Sequence, residues 1–348
     1  MTSEPARSRV LYALGQYPAI SQTYVKAEIE AVRDDVDVHV VTTKTHPVSY
    51  DDHLPFEILT SIEETCATVE EVKPDVLHTH WLTQADRVAE IARRTGVPFT
   101  IRSHSFDTLW GGWRGAMYNR SPIGAKPLLP PHLTHIAEVA NDELCLGILC
   151  FPFVRARLEK AGIPSHKLHD SWPVVDYEQF LDREPNGDRV MNTGAALGKK
   201  KMESYLDLAA RMPEREFDIY PLGFKTDELN AQAKVSNSRV VFVPPVEPKA
   251  MPSEFKRHEW LVYFGNPRVG WPVSIAEAQA AGVGVCMQNV RPDIAEYVGP
   301  AGFLFDNLSE VERIISKPYP DEMREAGFEH AKKSDIRQHK SNLLALWP

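Results

Sequence analysis

The sequence predicts an α/β protein built as two successive parallel-sheet domains. Three observations carry that reading. Short apolar runs of strand length alternate with amphipathic stretches of helix length. The alternation pauses near Trp172 and then starts afresh. The 348 residues make about two domains at roughly 150 residues each.

Arg9–Leu14 reads as a buried strand ended by Gly15. Ser21 is placed to cap a helix in which Val25, Ile29 and Val32 recur at helical spacing. Val36–Val41 is a second strand, and Ile62–Val72 a helix stopped by Pro74. Asp75–His80 is a third strand, Ala85–Arg94 a helix closed by Gly96, and Pro98–Arg102 a fourth strand. The pattern pauses over Trp110–Pro131. It resumes with Ile136–Ala140, Leu146–Cys150, a helix at Phe153–Ala161, and Lys167–Ser171.

Pro173, Pro185, Asn186 and Gly187 then mark a linker. Beyond it, strands are expected at Arg189–Thr193, Glu216–Pro221, Arg239–Phe242, Trp260–Phe264, Gly284–Met287 and Gly302–Phe305. Helices are expected at Met202–Arg211, Lys249–Arg257 and Ser274–Ala281, and Asp321–Leu346 is a mostly helical tail. Strand–helix alternation argues for right-handed βαβ units. The expected division is residues 1–172, 173–325, and a terminal helix over 326–348.

Composition narrows the function. Thirty-nine Lys and Arg against 48 Asp and Glu give a net charge of −9, which argues against a nucleic-acid binder. Four cysteines, none in a Cys-x-x-Cys pair, suit reduced thiols in a cytoplasmic protein. Met1–Arg9 lacks a secretory apolar core, and the longest apolar stretch, Leu144–Val154, is broken by Gly147 and Pro152. Membrane contact is expected to be peripheral at most.

Four stretches could carry chemistry. In the first, Gly265, Pro267, Gly270 and Pro272 form a loop feeding a helix opened by Ser274, with Glu277 one turn in. Free N–H groups at such a helix start suit a phosphate, and Glu277 suits a ribose hydroxyl pair. An ordinary strand-to-helix turn would look the same. The second is Gly194–Lys201, with Lys199, Lys200 and Lys201 after a strand. It is either a phosphate site or a solvated basic face, and it is not a P-loop.

In the third, His78 and His80 share one face of a strand, and His104 follows the next strand. His78 and His80 suit half a metal site or a pair that simply hydrogen-bonds to backbone, and His104 suits a ligand contact. The fourth is Trp110–Arg120, whose Trp110, Trp113 and Arg114 suit sugar faces and anions or pin a long loop to the core.

Taken in order, these stretches resemble glycosyltransferase family 4, the GT-B enzymes. YPAISQTYVKAEIEA (17–31) is similar to the family's F-P-x-x-S-E-T-F-I-x-x-E-I opening. PDVLHTHW (74–81) and GVPFTIRSHSFD (96–107) resemble its strand-end histidine motifs. FVRARLEKAGIPSHKLHDSWPVVDYEQF (153–180) resembles the run into its linker. GAALGKKK (194–201), PPVEPKAMPSEFKRHEWLVYF (244–264) and GWPVSIAEAQAAGVGVC (270–286) fall where its second-domain motifs fall.

The resemblance implies two Rossmann-like domains facing across a cleft, with a C-terminal helix crossing back to the first. It implies transfer of a sugar from a nucleotide-diphosphate donor to an acceptor hydroxyl, with retention of configuration and no further cofactor or metal. The acceptor would be a glycan, a lipid-linked saccharide or a natural product. His104, Lys200 and Lys201 would then be the catalytic groups. Gly194, Arg268, Gly270, Trp271, Val273, Ser274 and Glu277 would bind the donor. Gly15, Tyr17, Asp107, Trp110, Trp113 and Arg114 would lie on the acceptor side.

Two positions depart from the family pattern. Its Glu-x7-Glu would place a glutamate at 269, where the chain has Val269. Its Gly-Arg before the phosphate lysine reads Gly194-Ala195. Two other readings follow from the residues: a non-catalytic relative that only binds nucleotide or glycan, and a metal-dependent hydrolase built on His78, His80 and His104.

Overall fold

The computed structural model describes residues 7–19, 21–47, 49–109, 131–223, 225–235 and 238–348. Trp110, Trp113 and Arg114, expected on the acceptor side, lie outside the described residues. The chain divides into two compact units. One comprises Met1–Trp172 with Ile336–Pro348, and the other Pro173–Asp335.

The first unit is built on a parallel sheet of β1 (Arg9–Leu14), β2 (Asp37–Thr42), β3 (Glu57–Ile58), β4 (Val76–His80), β5 (Phe99–Arg102), β6 (Cys145–Cys150) and β7 (Leu168–Asp170). Its order is β3-β2-β1-β4-β5-β6-β7. All pairs are parallel, with Leu11 beside His39 on one flank and Leu77 on the other. Strands covered on both faces need continuous apolar runs, and β4 is buried at every residue.

Local chemistry sets the helix ends. Ile62–Val72 starts in a capping box, with Ser61 Oγ accepting from Glu64 N and Glu64 accepting from Ser61 N. Ala85–Thr95 stops at Gly96, whose φ of +73° is left-handed. The first helix, Thr23–Val32, begins after Gln22 with no side-chain cap, so Ser21 is not its cap. Ile136–Ala140 proves to be the end of a helix, Pro131–Ala140.

The second unit repeats the plan with β8 (Arg189–Ala195), β9 (Phe217–Leu222), β10 (Val240–Phe242), β11 (His258–Tyr263), β12 (Gly284–Gln288) and β13 (Gly302–Phe305). The order is β10-β9-β8-β11-β12-β13, again all parallel. In each sheet the chain reverses its direction of growth at the first strand, between β1 and β4 and between β8 and β11. Ligands of open α/β sheets bind at the carboxyl ends of strands at such switch points.

The tail is two helices, not one. Asp321–Ala331 packs in the second unit and Ile336–Leu344 in the first. Among the described residues, no helix is long and apolar enough to cross a membrane.

The second core leans on Trp260, 1% exposed, whose indole packs beside Gly284 of β12. A Cβ at Gly284 would sit 2.6 Å from Cε3 of Trp260 and 2.7 Å from Cδ2 of Tyr319. Gly284→Ala is expected to destabilise the protein by about 1–3 kcal/mol through overpacking. The check is a lower urea midpoint at unchanged slope.

Candidate active site

In the second unit the expected donor residues gather at the β8/β11 switch point. Gly194, the next-to-last residue of β8, has a φ of +127°, a conformation that suits only glycine. A Cβ there would overlap the Lys200 ammonium, so the missing side chain is what seats Lys200. Lys200 Nζ also lies 5.6 Å from the Tyr263 ring centroid, at the end of β11. Burial, with Lys199 beside it, lowers the Lys200 ammonium to about 7, and Glu277 works against that. Burial raises the Glu277 carboxyl to about 7, with Lys200 pulling it down. Lys200 and Glu277 thus act on each other electrostatically, and both are half-buried. Lys201, φ +41°, precedes the helix Met202–Arg211.

The loop after β11 is pinned from several sides. Asn266 N donates to Lys199 O at 3.0 Å, tying it to the lysine turn. Arg291 donates to Pro267 O at 3.0 Å and to Val269 O. Trp271 Nε1 donates to Asp293 at 2.9 Å, and its ring stacks on Tyr297 at 4.8 Å and 4°. Trp271 is 3% exposed and holds the loop, so it is not an open ligand contact as expected.

Helix Val273–Ala280 then opens with Pro272 before it and no side-chain cap. Ile275 N donates to Pro272 O at 3.1 Å and the Ala276 backbone bonds the Tyr297 hydroxyl, which leaves the N–H groups of Val273 and Ser274 to face an anion. Ser274 is largely buried, Val273 and Gly270 are half-buried, and Arg268 is exposed on the loop. Val269 is buried against Gly265.

In the first unit the carboxyl end of β4 meets a buried polar network centred on Glu28. His80 Nε2 lies 3.0 Å from Glu28 Oε1, and Tyr12 donates to the same oxygen at 3.2 Å. Arg102 Nη1 lies 3.2 Å and His339 Nε2 2.6 Å from Oε2. His78 Nε2 is 3.1 Å from Oε1 but out of line for a hydrogen bond. Burial alone would raise the Glu28 carboxyl. His80, His339 and His78 outweigh it, and the group stays well below the usual carboxylate range. Burial lowers His80 and His339 to about 4.

His104 lies one ring further out. Its Nε2 is 2.8 Å from His80 Nδ1, and its ring packs on Tyr24 at 4.6 Å and Trp81 at 5.1 Å. Burial, then His80 and Arg102, holds its imidazolium well below the ordinary range.

This geometry corrects three expectations. Asp107 is fully buried. It accepts from Leu82 N at 2.7 Å, Ser103 Oγ at 2.9 Å and His104 N at 3.0 Å, so it fixes the His104 turn instead of facing an acceptor. Tyr17 is 1% exposed among Tyr50, His53 and Phe56, a packing position. The expected His78–His80–His104 trio does not converge. Glu28, His78 and His80 do, within 4.8 Å, with Arg102 already balancing the carboxylate. Gly15 follows β1, and a Cβ there would press on Gln84 at 2.7 Å. Sequence reasoning passed over Glu28, Arg102 and His339. Glu28 stood on the apolar face with Val25, Ile29 and Val32, where a carboxylate signals a buried partner.

Residues 8–126 match the glycosyl transferase 4-like domain family. No curated protein matches the chain. Solved structures match it end to end. HepE of Anabaena, in complex with UDP-glucose, is 14% identical over 97% of this chain and 99% of its own, at a TM-score of 0.75. Sucrose-phosphate synthase of Thermosynechococcus elongatus is 15% identical over 97% and 98%, at 0.74. The lipopolysaccharide outer core galactosyltransferase WaaB is 12% identical over 97% and 98%, at 0.63. The fold is therefore of the GT-B class, two Rossmann-like domains, as the resemblance implied.

Breaking the Glu28 network strands the Arg102 charge. Glu28→Ala is expected to cost about 3–5 kcal/mol in urea unfolding. His80 and His339 bind protons more readily unfolded than folded between about 4 and the ordinary histidine value. Stability is therefore expected to rise with pH across that window, by up to about 1.4 kcal/mol per unit for each proton. His339→Gln flattens that slope, which unfolding at a series of pH values reads directly.

Proposed function

We propose that the protein is a glycosyltransferase that moves a sugar from a nucleotide-diphosphate donor to an acceptor hydroxyl. One observation carries the reading: Gly194, Lys200, Glu277 and the uncapped start of Val273–Ala280 gather at one switch point. Lys200 with Lys201 and the helix N–H groups hold the diphosphate, and Glu277 holds the ribose. HepE, matched in fold, binds UDP-glucose, which favours uridine as the base.

His104 contacts a hydroxyl of the sugar. Burial holds its imidazolium well below the ordinary histidine range, so the neutral ring suits a hydrogen-bond acceptor. That supports the retaining route, in which the departing diphosphate takes the acceptor's proton and the enzyme works by positioning. A second reading, donor binding without turnover, draws on Val269, whose buried methyls cannot hold a sugar hydroxyl as glutamate would.

A panel of UDP-, GDP- and dTDP-sugars with simple acceptors tests the proposal. Transfer with retained anomeric configuration, read by proton NMR, is the expected outcome. Binding with neither transfer nor hydrolysis favours the second reading.

Two further results are expected. Lys200→Ala with Lys201→Ala weakens UDP binding at least tenfold, losing about 1.5–3 kcal/mol for each charge-assisted hydrogen bond. The rise in melting temperature with UDP shrinks accordingly. UDP affinity also falls as pH rises above about 7, because free Lys200 loses its proton there and the diphosphate needs it charged. Calorimetry in buffers of different ionisation enthalpy should show proton uptake on binding, abolished in Lys200→Met.

A further inference from the structure

The buried network behind His104 is ordered as well as satisfied. An ionised carboxylate only accepts hydrogen bonds. Glu28 Oε1 therefore takes a proton-bearing Nε2 from His80 at 3.0 Å. A neutral imidazole has one donor and one acceptor nitrogen, so His80 Nδ1 is bare. That bare nitrogen lies 2.8 Å from His104 Nε2, which must then carry the proton. The two rings are tilted by only 15°, with centroids 5.0 Å apart. A 2.8 Å contact spans that separation when both nitrogens lie nearly on the line between the centroids, the arrangement of a linear hydrogen bond.

The other branches obey the same order. Trp347, a donor only, gives its indole N–H to Thr100 Oγ1 at 3.0 Å, and Thr100 Oγ1 is 2.7 Å from His78 Nδ1. Ser171 Oγ meets His339 Nδ1 at 3.1 Å while His339 Nε2 turns to Glu28. His80 and His339 therefore direct Nε2 to the carboxylate and leave Nδ1 for the outer partner, while His78 Nε2 lies near Glu28 without a hydrogen bond.

We propose that Glu28 and His80 are positioning residues that fix His104 as its Nε2–H tautomer and so present His104 Nδ1 as a hydrogen-bond acceptor. The group it takes from a ligand is then a donor, a hydroxyl, and never a carbonyl or phosphate oxygen. This rests on the proposed role of His104 for what the ligand is, but the tautomer itself is a property of the chain alone. Supporting it, burial keeps both imidazoles neutral near pH 7.

The test is two-bond proton–nitrogen correlation on the full chain labelled with 15N-histidine, without ligand. His104 is assigned by the resonance lost in His104→Gln. The expected result is the Nε2–H pattern for His104 and a scalar coupling across the hydrogen bond to His80 Nδ1. In Glu28→Gln the carboxamide can donate as well as accept, so His104 is expected to shift toward the Nδ1–H form. His80→Phe removes the acceptor and is expected to shift it further.

An Nδ1–H or doubly protonated His104 in the unsubstituted chain near pH 7 overturns the proposal. So does a missing coupling, or a tautomer unchanged in both variants. Should either variant fail to fold, the coupling in the unsubstituted chain decides. Failure of sugar transfer in the donor panel leaves these readouts standing, so the two readings fail separately.

Discussion

One buried carboxylate organises the first unit. Glu28 sits on the core face of its helix, where an ionised group would cost several kcal/mol without partners. Its partners come from separate stretches of chain: Tyr12 on β1, His80 on β4, Arg102 on β5 and His339 on the last helix. Satisfying that single charge therefore sets how the first helix lies on the sheet. It also tells the terminal segment where to dock, since Leu343 and Trp347 join the same apolar cluster.

The two sheets share one strand order, and both gather their chemistry at the corresponding place. The means differ. The second unit makes room, with a glycine in a conformation other residues avoid and a loop strapped by Arg291, Asp293 and the Trp271–Tyr297 stack. The first unit fills its switch point with rings and a salt-bridged carboxylate. One leaves room beside a buried lysine, and the other packs rings around a buried carboxylate.

Much of the fold was legible in sequence because strand and helix periods are local. β1, the helix Ile62–Val72 and β13 fall where periodicity and punctuation put them. Less legible were β3, two residues at a sheet edge, and the polar helix Thr226–Val235, whose apolar stripe is thin. The helix Leu308–Ile315 carried a readable start, Asn307 three residues before Glu310, whose N–H it accepts. Of the candidate site, Lys200 and Glu277 were readable from loop and motif. Asp107 and Tyr17 were expected on the acceptor side and are buried, because burial depends on what packs over a residue from distant chain.

The sequence alone determined the α/β class, the existence of two parallel-sheet units and the glycines and prolines of the loops after β8 and β11. Those depend on short-range periodicity, glycine and proline. Tertiary structure alone decided that Glu28 is the hub, that His339 returns 311 positions later to meet it, and which nitrogen of His104 is committed inward. Hydrogen bonds between stretches remote in sequence have no local signature, and a proton's place on an imidazole is set by the partner across the gap.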